Sequence, residues 1–116
     1  MDRLKGALKA QLGELKAQGR RLAAYGASAK GSTLLNYCGI GKETLDYVVD
    51  RSTYKQGRFM PGVHLPISDP RRLVEDQPDF VLLLTWNFAD EILAQQAAFR
   101  AHGGKFIVPV PEPRIV

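Results

Sequence analysis

The sequence predicts one α/β domain, residues 1–116, built in three layers around a mostly parallel sheet. Short apolar segments alternate with helical patterns along the chain, as expected of strands that are joined by crossover helices. The segment Phe80–Leu84 is apolar without interruption, which is typical of a central strand covered on both faces. The 116 residues are 45% hydrophobic and 24% charged, so they suffice for the core of one domain but not of two.

Four leucines at helical spacing predict an amphipathic helix over residues 3–18. These leucines are Leu4, Leu8, Leu12 and Leu15. The apolar segment Arg21–Tyr25 follows as a strand, and a helical pattern returns over Ser32–Cys38 after the turn Gly26–Gly31. Leu45–Asp50, rich in valine and tyrosine, is the second strand and closes a βαβ unit of about 30 residues.

A long connection, Arg51–Pro66, comes after the second strand. It is rich in turn-forming residues and longer than an ordinary loop, and long ordered loops are often functional. Asp69 is then predicted to cap a short helix that has Pro70 at its first position and ends near Asp76.

The last part of the chain is predicted to form a strand, a helix and a strand. Phe80–Thr85 is the third strand, Asn87 caps the helix that follows, and Lys105–Val108 is the final strand. Asp90 and Glu91 fall in the first helical turn, where carboxylates favour the positive end of the helix dipole. Prolines are expected to prevent regular structure after the final strand: Pro109, Pro111 and Pro113. These elements predict a small Rossmann-like domain, in which ligands bind outside the carboxyl ends of the strands.

The net charge of +4 is concentrated at the N-terminal end of the chain. Seven Lys and Arg face two acidic residues up to Lys30, whereas nine face ten from Gly31 onward. Aromatic residues are not interleaved with the N-terminal charges, so a solvated helix face is favoured over a nucleic-acid surface. Nucleic-acid binding is kept only as a minor alternative, which would show a steep salt dependence.

Several other classes of protein are disfavoured by the composition. Cys38 is the single cysteine, so an intrachain disulfide is excluded. No apolar segment has the length of a membrane span and no signal-peptide pattern is present, so we expect a cytoplasmic protein without a membrane partner. His64 and His102 are isolated, and no metal site is predicted. Ser28 has no base near it in sequence, so no catalytic residue is predicted in this chain either.

The turn Gly26–Gly31 is the main candidate site, because backbone N–H groups and a helix dipole together attract an anion there. Its spacing is that of the dinucleotide pattern G-x-G-x-x-G, with Ser28 in place of the middle glycine. A serine hydroxyl can donate to a phosphate oxygen. Lys30 precedes Gly31, which is not the order of a P-loop, so an NTPase is disfavoured. The predicted phosphate-binding residues are Gly26, Ser28, Ala29, Lys30 and Gly31; the alternative is a tight turn without a ligand.

Other candidates lie near the predicted strand ends. Asp50 follows Gly26 by 24 residues, close to the spacing at which a carboxylate meets a ribose hydroxyl, although it can equally form a turn. Trp86 can stack on a base and Asn87 can hydrogen-bond it, unless they are a rim tryptophan and a helix cap. The loop residues that could close over a charged ligand are Lys55, Arg58, Pro61 and Gly62, with plain solvent exposure as the alternative.

Seven segments of the chain form a pattern that is known from a protein family: Tyr25–Thr33, Leu35-Asn36, Val49–Arg51, Lys55–Arg58, Met60–Gly62, Leu83–Ile92 and Gly103–Pro109. In these segments the sequence resembles the C-terminal domain of SAM-dependent C-methyltransferases of the nucleotide-deoxysugar 3-C-methyltransferase type. The resemblance covers nearly the whole chain, in the family's order.

The resemblance implies that a zinc-binding domain and a SAM-binding domain precede this one, and that neither lies within residues 1–116. It implies no cofactor in this chain, since zinc and SAM are expected in those domains. The nucleotide-linked sugar would lie between the SAM-binding domain and this one, which are therefore the expected partners. By position, Ser28 and Lys30 would hold the diphosphate, and Asp50, Trp86 and Asn87 are candidates for the nucleoside. The alternative function is a free-standing nucleotide-, dinucleotide- or CoA-binding module.

Overall fold

The computed structural model describes residues 2–60, 62–109 and 113–116. Its helices are α1 Asp2–Ala17, α2 Ala29–Cys38, α3 Arg71–Asp76, α4 Ala89–Gln95 and α5 Ala97–Ala101, with a 3₁₀ turn at Trp86–Phe88. Its strands are β1 Leu22–Tyr25, β2 Val48–Val49, β3 Ile67–Ser68, β4 Phe80–Leu83, β5 Lys105–Val108 and β6 Arg114–Ile115.

The six strands form one sheet in the order β3-β2-β1-β4-β5-β6. The first five strands are parallel, and β6 pairs antiparallel with β5. This is the strand order of the doubly wound Rossmann fold, and the predicted fold class is confirmed. The order reverses between β1 and β4, so the loops after these two strands leave the sheet in different directions. Ligands of this fold bind at that point, outside the carboxyl ends of the strands.

The central strand β4 divides the core into two halves. Leu82 and Leu84 pack with α1 and α2 on one face, while Val81 and Leu83 pack with the other three helices on the opposite face. From α1, Leu8 and Leu12 are buried and Leu15 packs against them. The side chain of Leu4 is outside the described part of the structure. An apolar strand with helices on both faces is the expected outcome for a parallel sheet.

Several predicted element boundaries are wrong. Helix α2 begins at Ala29 rather than Ser32, and the second strand is only Val48–Val49. Asn87 does not cap a helix, because it lies inside the 3₁₀ turn and α4 begins at Ala89. Helix α3 begins at Arg71 with Pro70 as its N-cap residue, so Asp69 lies one residue before the cap position, although its Oδ1 still accepts the N–H of Arg71 at 2.9 Å.

Two short strands were not predicted. Strand β3 ends the long loop and pairs with β2, and β6 follows Pro113. The prolines therefore do not prevent all further pairing, because only the residues after Pro113 need free N–H groups. Val116 exchanges two hydrogen bonds with Phe106, at 2.9 and 3.1 Å. Pro111 lies outside the described residues.

None of the helices in the described residues is long and apolar enough to cross a membrane.

Candidate functional site

The loop between β1 and α2 packs directly on the segment that follows β4. Gly26 has a φ of +99°, and a Cβ atom there would lie 2.6 Å from Cγ2 of Thr85. A Cβ atom on Gly31 would lie 2.7 Å from Cβ of Leu84. Both distances are too short for a real side chain. The two glycines are therefore needed to bring the loop and the start of α2 against the sheet, as in dinucleotide-binding turns.

Ser28 is the N-cap of α2. Its Oγ accepts the N–H of Gly31 at 3.0 Å, and its carbonyl accepts the N–H of Ser32 at 2.9 Å. The hydroxyl keeps its own hydrogen, which it can still donate. Among the described residues, the N–H groups of Ala29 and Lys30 have no acceptor. The first turn of α2 therefore offers two backbone donors and one hydroxyl to an external acceptor.

Two side chains from beyond β2 fix the loop. Asp50 Oδ2 accepts the N–H of Ala27 at 2.8 Å, while its Oδ1 accepts the N–H of Ser52 at 2.8 Å. Lys55 Nζ donates to the carbonyl of Ala27 at 3.0 Å. Ala27 is thus held at both its N–H and its C=O. The loop has a defined shape before any ligand arrives, which lowers the ordering cost of binding.

A cavity of about 500 Å³, here called the α2 cleft, opens beside this loop. Its lining residues are Ala27, Ser28, Ala29, Ser32, Thr33, Lys55, Arg58, Phe59 and Ile67. It thus presents three hydroxyls, two cations and one phenylalanine, and none of these described lining residues is acidic. Arg58 is stacked on the ring of Tyr54, with its Cζ 4.6 Å from the ring centre. The volume lies within the range of small-molecule sites, and the charge suits an anion.

Trp86 and Asn87 lie in a different hollow. This hollow, of about 370 Å³, is lined by Trp86, Asn87, Phe88, Ala89, Asp90, Glu91 and Arg114. Trp86 is partly buried and packs against both halves of the core, while Asn87 is exposed. Lys30 places its Nζ 5.5 Å from the centre of the Trp86 ring, within cation–π range. The structure therefore does not bring Trp86 and Asn87 into the α2 cleft.

Most of the predicted site residues either line the α2 cleft or support its wall. Ser28, Ala29 and Lys55 line the α2 cleft. Gly26, Gly31 and Asp50 support the loop that forms its wall, and Lys30 is directed to Trp86. Of the four loop residues expected to close over a ligand, Arg58 joins Lys55 in the cleft.

The other two loop candidates are elsewhere. A Cβ atom on Gly62 would lie 2.5 Å from Nδ2 of Asn36, so this glycine packs on α2 and is not among the residues that line the cleft. Pro61 lies outside the described residues.

The cleft also contains residues that were not predicted, namely Ala27 and Ile67 and, with functional side chains, Ser32, Thr33 and Phe59. The two hydroxyls belong to the segment that was interpreted only as a helix. Phe59 stands beside Arg58 in a loop otherwise rich in polar and turn-forming residues, and this neighbourhood is a signal that sequence reasoning could have used.

No group of three or more His, Cys, Asp and Glu side chains within the described ranges is placed to hold a metal ion.

The fold and the α2 cleft together define a Rossmann-like α/β domain that has a cationic, hydroxyl-lined cavity at its first β–α turn. The chain belongs to the C-methyltransferase C-terminal domain family, whose model matches residues 1–111. The predicted family is thereby confirmed. Over 113 residues the chain is 42% identical to "C-methyltransferase NovU" of Streptomyces niveus. That alignment covers 94% of this chain and 27% of NovU, so the chain spans about a quarter of the length of this relative.

The fold also resembles a solved structure. UDP-D-quinovosamine 4-dehydrogenase from Vibrio fischeri superposes with a TM-score of 0.58 at 20% sequence identity. The match covers 80% of this chain and 79% of the dehydrogenase. At this identity the likeness concerns the fold alone.

Proposed function

We propose that this chain binds the nucleotide-linked sugar substrate of a C-methyltransferase and holds the substrate's diphosphate in the α2 cleft. The observation that carries the proposal is the set of donors around one cavity. The N–H groups of Ala29 and Lys30 at the start of α2 lack a protein acceptor among the described residues. Ala29 lines the α2 cleft together with Lys55 and Arg58. Membership of the C-methyltransferase C-terminal domain family supplies the reaction class.

Physical chemistry favours a diphosphate at this position. An anion near a helix N-terminus gains roughly 0.3–1 kcal/mol from the helix dipole. Hydrogen bonds from a charged donor to a phosphate are shorter and stronger than neutral ones. Lys55 is already positioned by the carbonyl of Ala27 and can turn one of its three N–H groups to the ligand.

The cleft does not suit the methyl donor. The sulfonium of SAM is a cation, and it would meet Lys55 and Arg58 in a cavity whose described lining contains no carboxylate. We therefore assign SAM, zinc and the base that removes a proton from the sugar to the remainder of a methyltransferase. The residues of this chain bind the substrate and orient it, which is what brings a carbon nucleophile into line with a methyl group.

The proposal is tested by calorimetric titration of the chain with dTDP, and with SAM and NAD in parallel. We expect saturable binding of dTDP and none of SAM. Ser28→Asp keeps a good N-cap but adds a negative charge at the cleft, so it should weaken dTDP binding at least about tenfold without unfolding the protein. Lys55→Ala should also weaken binding.

Lys105→Ala is the matched control for Lys55→Ala. Lys105 is exposed at the amino end of β5, whereas the cleft lies at the carboxyl ends of the parallel strands. Removal of its charge should leave the affinity unchanged. Tight binding of SAM, or dTDP binding that is indifferent to Ser28→Asp, would contradict the proposal. Binding of NAD alone would favour a dinucleotide-binding module.

A further inference from the structure

We infer that Phe59 is the platform on which the base of the bound nucleotide stacks. This inference rests on the proposed function. It adds a binding position for the base, the part of the ligand that Lys55 and Arg58 do not account for. Phe59 is 63% exposed and lines the α2 cleft together with Ser28, Ala29 and Lys55. One cavity therefore offers phosphate donors and an open aromatic face. A nucleoside diphosphate has the matching two chemistries, an anionic end and a flat aromatic end.

The backbone around Phe59 is well anchored. Phe59 forms an antiparallel bridge with Pro66, and the next residue, Met60, is fully buried. The N–H of Met60 donates to Leu65 at 2.8 Å, and the N–H of Ile67 donates to Arg58 at 2.8 Å. The exposed ring is therefore mounted on a paired and buried segment. A backbone fixed in this way loses little further conformational entropy when a base stacks on the ring that it carries.

Trp86 is the other aromatic candidate, and its surroundings argue against it. It packs into both halves of the core, and Lys30 lies over its ring at 5.5 Å. It lines the separate hollow of about 370 Å³ instead of the α2 cleft. A base on Trp86 would have to displace the ammonium of Lys30 and would lie in a different cavity from Lys55 and Arg58. The base is therefore assigned to Phe59.

Arg58 and Tyr54 complete the edge of the platform. The Arg58 guanidinium is stacked on the ring of Tyr54, which is 75% exposed, and Arg58 also lines the cleft. Stacking on Tyr54 restrains the guanidinium of Arg58, which lines the cleft next to Phe59. Because stacking uses the face of a base and not its edge, uridine and thymidine diphosphates should bind with similar affinity.

The test compares dTDP with inorganic pyrophosphate on three variants. Phe59→Leu should weaken dTDP binding about tenfold and leave pyrophosphate binding unchanged, because pyrophosphate has no base. Phe59→Trp should retain dTDP binding. Phe88→Leu is the matched control: Phe88 is 59% exposed but lines the separate hollow, so its removal should change neither affinity.

The outcomes separate the platform from the proposed function. If dTDP binds and is weakened by Ser28→Asp but not by Phe59→Leu, the platform is overturned while the phosphate site stands. The platform is also overturned if Phe59→Leu weakens both ligands equally, or if Phe88→Leu weakens dTDP binding as much as Phe59→Leu does. If neither dTDP nor pyrophosphate binds to the unmodified chain, the proposed function fails and the platform with it. Urea unfolding of Phe59→Leu should match the unmodified chain, since the ring is exposed.

Discussion

Asp50 and Ala27 are joined by a hydrogen bond of 2.8 Å, from the backbone N–H of Ala27 to Oδ2 of the carboxylate. Ala27 lies in the loop after β1, and Asp50 follows β2, so this bond ties two adjacent strand ends together. The other carboxylate oxygen accepts the N–H of Ser52. Asp50 thus shapes the loop that carries the proposed phosphate site. A further hydrogen bond to a ribose hydroxyl, as its position in the sequence predicts, remains a prediction.

Asp50→Asn should destabilise the fold. An amide can accept with only one atom, so one of the two part-buried N–H groups loses its acceptor and faces an NH₂ group. The expected loss in the free energy of unfolding is about 1–3 kcal/mol, measured by urea denaturation. Asp46→Asn is the control, because Asp46 forms an exposed ion pair with Lys16 at 3.9 Å and its replacement should change stability little. Equal stability of the two variants would argue against the structural role of Asp50.

Two helical glycines should respond to alanine in opposite directions. Gly31→Ala forces a Cβ atom against Leu84, and overpacking of this kind costs about 1–3 kcal/mol. Gly13→Ala in α1 meets no atom within 4 Å and should stabilise the protein by about 0.5–1 kcal/mol through helix propensity. Thermal unfolding of both variants provides the measurement. A neutral Gly31→Ala would mean that α2 does not sit against β4 as described.

Ser28→Ala should cost about 1 kcal/mol, because it removes the acceptor for the N–H of Gly31 at the start of α2. Thr33→Ala is the matched control in the same helix. The exposed Thr33 hydroxyl donates to the carbonyl of Ala29, an interaction that contributes little inside a helix. Chemical denaturation of the two variants distinguishes a cap from a general effect of hydroxyl removal. If both variants lose the same stability, the cap is not the cause.

A second polar cluster stabilises the amino-terminal side of the sheet. Tyr47 is 1% exposed, and its hydroxyl donates to Oδ2 of Asp76 at 2.9 Å. Arg21 pairs with the same carboxylate, and Arg72 stacks on the Tyr47 ring at 3.7 Å. Burial, together with the neighbouring carboxylate of Asp76, raises the pKa of Tyr47.

Tyr47→Phe should lower the free energy of unfolding by about 1.5–3 kcal/mol, because the lost hydrogen bond has a charged acceptor. Tyr54→Phe, at a 75% exposed ring, should have no effect. Urea denaturation at neutral pH compares the two. A loss of similar size in both variants would show that the Tyr47 hydroxyl does not contribute the free energy expected of a buried hydrogen bond.

The cluster also predicts an acid dependence. Burial raises the pKa of Asp76, but hydrogen bonds from Arg21 and Tyr47 and the charges of Arg21 and Arg72 outweigh it, so the pKa lies below its ordinary value of 3.8. The unfolded chain therefore binds the proton more readily than the folded one. The stabilisation is present in full above the ordinary value and is lost as the pH falls through the lowered value. Asp76→Asn should thus be less stable than the unmodified chain at pH 7, with the difference shrinking in acid; a constant difference would contradict this.

The sequence predicts those parts of the fold that depend on local patterns. The uninterrupted apolar segment at β4, the bounds of β5 and the glycine spacing at 26 and 31 are all properties of consecutive residues. Strands β3 and β6 have two residues each, and they exist because a neighbouring strand pairs with them. No periodicity can develop in two residues, so neither strand could be predicted.

The residues of the candidate site also divide into those that sequence patterns predict and those that they do not. Ser28, Ala29 and Lys55 could be predicted, since the turn and the loop after it follow from spacing along the chain. The separation of Trp86 from the α2 cleft could not, because it depends on which side of the sheet each loop turns to after its strand. Phe59 reaches the cleft through the bridge with Pro66, which sequence patterns do not show.

Trp86 is the only tryptophan of the sequence, so the tryptophan fluorescence of the whole chain originates at the carboxyl end of the sheet. The ammonium of Lys30 lies over that ring, and the backbone N–H of the same residue is one of the two N–H donors of α2. Any movement of Lys30 toward an arriving anion changes the electric field at the indole and with it the emission. The domain therefore carries a built-in optical reporter beside the turn where its ligand is expected, and binding can be followed without a label.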